Sequence, residues 1–471
     1  MEMGCPMGLA YRRIQEIEEE YDLLRYELDG WCVWPVLRLR VARALSNVTF
    51  AQREEIARST LLTIAARDVV RLLASRKARF LIKTCSSARS EQQGALYKDI
   101  FFDDLLLDVG DFFKLEQLNS SAFLPRRKAS LIRSNATSAL FDVLAGLFAR
   151  SGVPRVASRL AHSFSTDLRE KAGLETVTPR AFAIGLGHFY WSKELYGLLL
   201  DRIRPDYLLT VDPCYYAITA AAKQRRITVV EMQHGVISRD DPGYSWSPYA
   251  LEYKAKMPMP DRVFLYGEYW QQELQKGGFW SKELRPVGSP RVDQYRKQES
   301  GNRCSEQSEC TILVTTQGIE TDRLITFIVE FLEVARERLE IALVIKLHPI
   351  RETSKAKYVE ALQKKGNVRV ILGTEPPSTF ELLSDMDFHV SISSACHYEA
   401  LGLRVPTVIL PFKLHELVLH LQETGYAFLA RTPQDLLDIV LSYRHQEVPR
   451  EVGDAFFAYD ALENMKRELG I

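Results

Sequence analysis

The β-forming run Val229-Val230-Glu231-Met232 stops at Gln233-His234-Gly235 and passes into a polar loop. An imidazole titrates close to neutral pH, so a histidine at a strand tip is well placed to take a proton from a hydroxyl. Gly235 would let the backbone turn away without a Cβ and leave the ring bare. Gln233 would hold substrate hydroxyls or fix the ring's tautomer. Asp212, Asp240 and Asp241 supply carboxylates that could orient His234, act as base, or serve as nucleophile. The plainer readings are His234 as a strand cap and Asp212, which precedes Pro213, as a turn former.

A second set of residues suggests anion chemistry. In IALVIKLHPIRE (341–352) an apolar run carries Lys346 and ends at His348, where Pro349 has no N–H to continue a ladder. FHVSISSACHYEALGLRVPTVIL (388–410) reads as strand, hydroxyl-rich turn, helix and strand. Ser391, Ser393 and Ser394 fall at that turn. Ordinary N-capping would account for them, but hydroxyls beside the free N–H groups of a helix start also make an anion site. Glu399 on the same helix could accept hydrogen bonds from ribose hydroxyls, with His397 the weaker candidate. Gln317, ending TILVTTQG, would border the same crevice. Arg291, in GSPR, could grip a phosphate or carboxylate bidentately. The chemistry of this set is phosphate and ribose binding. No GxxxxGK[ST] and no strand-following GxGxxG occurs, which argues against a P-loop NTPase and a nicotinamide dehydrogenase.

Strands and helices must alternate to present these groups, and they do. PDYLLTVDP (205–213), a small-residue helix and ITVVEMQHG (227–235) form a βαβ unit, hence parallel sheet, with Asp212 and His234 at the carboxyl ends where ligands sit. Strands are also predicted at 78–84, in DRVFLYG and LRPVG, and helices around 136–152, 154–172 and 180–203. A second α/β series runs from 311 to about 424. It comprises strands TILVTTQG, ALVIKLHP, VRVILG, FHVSISS and VPTVIL, with helices over 321–338, 353–364, 378–384, 395–403 and 414–424. A final helix is expected in VGDAFFAYDALENMKREL. Residues 8–75 read as helices. There Trp31, Trp34, Leu37 and Val41 share one face flanked by Arg38, Arg40 and Arg43. That face would dock on its own domain with the arginines solvated, or rest on the inner membrane surface as a peripheral contact.

The chain has 471 residues, 46% hydrophobic and 26% charged, so it can bury two or three cores. Lys+Arg and Asp+Glu both number 61, and this balance argues against a nucleic-acid partner. Seven dispersed cysteines without a CxxC fit reduced thiols in the cytoplasm and no zinc site. Neither a secretory leader nor a membrane span is legible.

The His-Pro element followed by a serine-rich turn, with the QHG strand end and the segments YGEYW (266–270) and VGSPRVD (287–293), resembles bacterial capsule and surface-polysaccharide glycosyltransferases. These include the polysialyltransferases and β-Kdo transferases, and the CDP-glycerol glycerophosphotransferases share the plan. The similarity spans roughly 205–410. It implies an α/β fold of the GT-B kind: two Rossmann-like lobes facing a cleft, with an N-terminal helical extension. The parts would be a helical region 1–75, an acceptor-side lobe 76–255, a donor-side lobe 256–450, and a helix in 451–471 packing back on the first lobe. It also implies that His348-Pro349 and Ser393-Ser394 hold the cytidine nucleotide of a CMP-linked acidic sugar. The sugar would pass to a glycan or glycolipid acceptor, with no resident cofactor and no metal. The acidic-acidic-glycine motif of the polysialyltransferases is met only approximately, by Asp240-Asp241-Pro242-Gly243. Readings kept beside this one are a CDP-glycerol-type transferase, a UDP-sugar 2-epimerase on the same fold, and a silent scaffold of polysaccharide assembly.

Overall fold

The computed structural model describes residues 6–46, 56–119, 124, 128–173, 178–237, 241, 243–296, 309–349, 351–363, 365–444 and 446–471. The chain divides into two compact units. The first takes residues up to Leu265, then Trp270–Pro286 and Leu462–Ile471; the second takes Tyr266–Tyr269 and Val287–Ala461.

The first unit is built on six parallel strands. They are β1 (Phe80–Cys85), β2 (Phe112–Gln117), β3 (Tyr207–Thr210), β4 (Thr228–Met232), β5 (Arg262–Leu265) and β6 (Leu284–Pro286). Their order is β6-β5-β4-β3-β1-β2, so the direction of winding reverses between β1 and β3. The strands are short and largely buried, as a parallel sheet covered on both faces requires, though β1, β2 and β4 carry the buried charged residues Lys83, Lys114, Glu116 and Glu231. Helices Arg58–Ala74, Thr137–Ser151, Arg155–Ala172, Pro179–Ile203 and Tyr216–Gln224 surround the sheet. The segment 262–286, assigned from sequence to the second lobe, instead supplies the last two strands at one side of this first sheet, β6 being its edge.

The N-terminal helices Pro6–Glu20 and Trp34–Ser46 belong to this unit too. Trp34, Leu37 and Val41 are fully buried and Trp31 nearly so, which removes the membrane-facing reading of that stripe. Arg38 is not solvated either. Its guanidinium pairs with buried Glu18, donates to the Ser245 carbonyl at 2.6 Å and lies 4.0 Å from the Trp246 ring centroid. Only Arg40 of the described arginines on that stretch reaches solvent; the Arg43 side chain lies outside the described residues. The helix Ala461–Leu469 packs on this unit through Met465 and Leu469, one turn apart and both 0% exposed, while Ala461 at its start belongs to the second unit. Lys466 pairs with Asp108 at 2.6 Å and Glu468 with Arg285 at 3.0 Å.

The second unit has six parallel strands: β7 (Cys310–Thr315), β8 (Ile341–Lys346), β9 (Asn367–Ile371), β10 (Phe388–Ser391), β11 (Thr407–Ile409) and β12 (Ala427–Leu429). Their order is β9-β8-β7-β10-β11-β12, the 3-2-1-4-5-6 winding of a Rossmann sheet. The switch point lies between β7 and β10. Two parts differ from the sequence reading. Residues 415–424 form two 3-10 turns rather than a helix, opened by Leu414 at φ 75°. Strand β12 and the helix Pro433–Tyr443 complete the unit; Thr432 and Asp435 form a capping box and Pro433 stands in the first turn. Among the described residues no helix is long and apolar enough to cross a membrane.

Candidate functional site

The switch point of the second sheet collects the anion-binding candidates. Gln317 follows β7 and Ser393 follows β10. The Ser393 backbone N–H donates to Gln317 Oε1 at 2.9 Å and its hydroxyl lies 3.2 Å from the same oxygen. With the amide oxygen taken, the NH2 of Gln317 is turned outward as a pair of donors. Ser394 Oγ accepts from the Cys396 N–H at 3.2 Å, closing a serine turn just ahead of the short helix Cys396–Gly402, whose N-cap is Ala395.

His348 follows β8 on the neighbouring strand. Its Nδ1 accepts from the Arg351 N–H at 3.2 Å, which places the proton of the neutral ring on Nε2 and makes that nitrogen a donor. Burial, and secondarily the Arg351 charge, hold its pKa below the usual imidazole value, so the ring is neutral at pH 7. Pro349 ends the run in an exposed position.

Glu352, which sequence reasoning missed, organises both turns. It accepts from the Thr316 hydroxyl, the Gly318 N–H at 3.0 Å, the Thr321 hydroxyl at 3.1 Å and the Tyr358 hydroxyl at 2.8 Å. The loop carrying Gln317 is thereby tied to the loop carrying His348. Gly318 is needed there: its φ is 65°, and a Cβ would come within 2.9 Å of the Arg351 side chain. An acid four residues past a His-Pro pair gave no distinguishing signal in the sequence.

Two residues of the expected site serve the fold instead. Lys346 is 4% exposed and its ammonium donates to the carbonyls of Leu372, Glu375 and Pro377, pinning the loop after β9. Burial lowers its pKa to about 8. Ser391 is 1% exposed and its hydroxyl donates to the Thr315 carbonyl at 2.7 Å, stitching β10 to β7. Each is the last residue of its strand, two positions short of His348 and Ser393 respectively at the crevice. His397, the weaker candidate, is fully buried with its Nδ1 2.6 Å from the Thr407 hydroxyl.

Arg291 and Glu399 are close enough to interact. The Arg291 charge moderates the rise that burial imposes on the Glu399 pKa, and the guanidinium stacks 4.0 Å over the Phe380 ring. Tyr266 feels both charges and stacks on Phe457 at 5.1 Å. Glu399 is half-buried, and its carboxyl oxygens are acceptors for hydroxyl donors.

In the first unit, Asp212 and His234 stand past the carboxyl ends of the adjacent strands β3 and β4, Asp212 at the switch point. His234 is exposed. Asp212 Oδ1 accepts from the Cys214 N–H at 2.7 Å, the turn-forming role. Asp241 is half-buried; burial raises its pKa while the Gly243 N–H and then His234 oppose the rise. Asp240 lies outside the described residues. Gln233 is 0% exposed and its amide donates to the Gly235 carbonyl at 2.8 Å, so it clamps the corner and cannot hold substrate hydroxyls there. Gly235 does not take a left-handed backbone, and a Cβ on it would meet no atom within 4 Å. The bareness of the imidazole therefore comes from the chain's course, not from the glycine. Glu231, inside the apolar run, is 2% exposed, accepts from the Tyr244 hydroxyl and is pushed by burial up to about 8.

Among the described residues no three His, Cys, Asp or Glu side chains gather as they would around a metal ion. Neither a known protein-family model nor a curated protein sequence matches the chain. Solved structures do. The UDP-GlcNAc 2-epimerase of Methanocaldococcus jannaschii is 14% identical, with a TM-score of 0.51, over 83% of this chain and 99% of that one. MurG of Acinetobacter baumannii is 12% identical over 83% and 99%, with a TM-score of 0.46. The glycotransferase of kitacinnamycin is 14% identical over 84% and 100%, with a TM-score of 0.44. What the first of these likenesses carries is the fold: this chain is built of two Rossmann-like units on the GT-B plan.

Proposed function

We propose that this protein is a glycosyltransferase that takes a sugar from a nucleotide-activated donor, with a CMP-linked acidic sugar the first to test, and passes it to a surface polysaccharide or glycolipid acceptor. The observation that carries the reading is the second unit's switch point. There Gln317 and Ser393 are locked together at 2.9 Å, and the His348 turn is tied to the Gln317 turn through Glu352. In an open α/β sheet this is where a nucleotide binds, and the groups held there suit one. The Gln317 amide and the His348 Nε2–H are neutral donors for phosphate oxygens or a pyrimidine carbonyl, and the Ser393 hydroxyl, which donates to Gln317, keeps its lone pairs as an acceptor. Glu399 is an acceptor for ribose hydroxyls, and Arg291 beside it offers a cation for phosphate or a sugar carboxylate.

On this reading His234 supplies the base. Its ring is exposed to an incoming hydroxyl, and the nearby Asp241 favours the imidazolium that forms when the proton is taken. Isothermal titration with CMP, CDP, UDP and GDP tests the nucleotide site, and absence of binding to all four overturns the proposal. The likeness to a UDP-GlcNAc 2-epimerase supplies the second reading. Turnover of a UDP-sugar without any acceptor would establish that reading and displace the first.

A further inference from the structure

A cavity of about 340 Å³ opens in the first unit at the switch point between β1 and β3. Its wall is contributed by Asp142, His188, Ser192, Tyr196, Asp212 and Tyr215, together with helix Trp34–Ser46. Apart from Asp212, none of these residues was assigned a role above. Asp142 is half-buried, and no described residue donates a hydrogen bond to its carboxylate. Ser192 Oγ lies 3.4 Å from His188 Nδ1, which fixes the ring against its own helix Pro179–Ile203. Behind the wall is Lys83, 1% exposed, whose ammonium has no hydrogen-bond partner among the described residues. It lies 5.0 Å from the Tyr215 ring centroid and 5.8 Å from that of Tyr196.

A buried ammonium without a partner and a carboxylate without a donor are costly features to maintain in an unliganded fold. Lys83 lies behind the rings and outside the lining, so the feature that points to a ligand is the Asp142 carboxylate, which a hydroxyl donor in the cavity would complete. The wall presents two carboxylates, Asp142 and Asp212, and the Arg40 side chain, a near balance of charge that selects neither a strong anion nor a cation, while the Lys83 charge is screened behind two rings. Aromatic faces suit the apolar C–H face of a sugar ring, and the carboxylates, serine and imidazole suit hydroxyls at its edge. The volume is at the small end of ligand pockets.

From this geometry we infer that the cavity binds one uncharged hexose unit, with Asp142 accepting from its hydroxyls and Tyr196 and Tyr215 packing on its ring. The inference depends on the glycosyltransferase reading only in naming that hexose as part of the acceptor. Burial raises the Asp142 pKa, and the Lys83 and His188 charges oppose the rise, which is the environment of a carboxyl that exchanges hydrogen bonds with a ligand.

Saturation-transfer NMR on the intact protein tests the inference. The probes are methyl β-glucopyranoside, methyl β-galactopyranoside and methyl N-acetyl-β-glucosaminide, measured with wild type, Asp142→Leu and Ala217→Trp; Ala217 lines the cavity and the indole would fill it. The expected result is transfer to the ring protons of at least one glycoside, falling at least fivefold in each variant that keeps the wild-type melting temperature. No transfer from any of the three, or transfer unchanged in the variants, overturns the inference. A parallel titration with CMP and UDP separates the two proposals. Glycoside binding without nucleotide binding sustains the cavity and sinks the transferase; nucleotide binding without glycoside binding does the reverse.

Discussion

Glu352→Ala is the perturbation that most directly tests how the second unit builds its crevice. The wild-type carboxylate satisfies four donors, two of which belong to residues that are almost wholly buried, Tyr358 at 1% and Thr316 at 4% exposure. Water can replace the bonds to exposed Gly318 and half-buried Thr321, so only the two buried hydroxyls are charged with the full loss. A hydrogen bond to a charged group contributes about 1.5–3 kcal/mol, so two give a destabilisation of about 3–6 kcal/mol. For a unit of this size that is a fall in melting temperature of roughly 6–24 °C. Glu352→Gln keeps an acceptor for Tyr358 and Thr321 but turns an NH2 towards the Gly318 N–H, so about half of that loss is expected. Calorimetry that resolves the second unit's transition measures both variants. Loosening the two turns should also weaken nucleotide binding about tenfold. If Glu352→Ala melts within roughly 2 °C of the parent, the carboxylate is not the tie described above.

Further expectations concern other residues. His389, which bridges the Thr315 and Thr407 hydroxyls at 2.8 Å each, and His397 are buried and neutral, with burial holding His397 at about 3. Unfolding returns both to near 6.5, so below that pH the unfolded chain takes up protons that the folded one refuses. Stability present above pH 6.5 is thus lost as pH falls, by roughly 2 kcal/mol per histidine at pH 5, and urea titrations at pH 7 and 5 should show it. His348→Ala should weaken nucleotide binding about tenfold with little change in melting, whereas Lys346→Met should cost about 2–3 kcal/mol of stability by orphaning loop carbonyls; the reverse pattern would restore Lys346 to the ligand site. Arg38→Met should destabilise the first unit by about 3–5 kcal/mol by stranding the Glu18 charge, and adding Glu18→Leu should recover most of that loss in a double-mutant cycle.

The alternation of strands and helices was legible because parallel strands are short apolar runs between helical stretches, and ten of the twelve central strands announce themselves that way. The exceptions are instructive. Phe112–Gln117 lies at the end of DIFFDDLLLDVGDFFKLEQ, where apolar and acidic residues mix without a period that would divide the run into elements. Ala427–Leu429 is three residues long and follows a turn, too short for periodicity to register. Allotting β5 and β6 to the wrong lobe is a topological error, since a local pattern does not say which sheet a strand joins. At the site, position along a strand decided the outcome. Ser393 and His348 fall beyond the last ladder residue, but Ser391 and Lys346 fall on it, so their polar atoms are consumed by neighbouring strands and loops. Asp142, Lys83 and Glu352 come from elements far apart in sequence and carry no motif, so only the folded arrangement reveals them.

The helix Ala461–Leu469 has a consequence for how the molecule is made. It belongs to the first unit, yet a ribosome delivers it only after the whole of 287–461 has emerged. Until then the nascent first unit carries an uncovered apolar seat for Met465 and Leu469, and Arg285 and Asp108 await their partners. Biogenesis of the first half therefore cannot finish vectorially, and a fragment cut after Pro286 would be trapped at that unfinished stage.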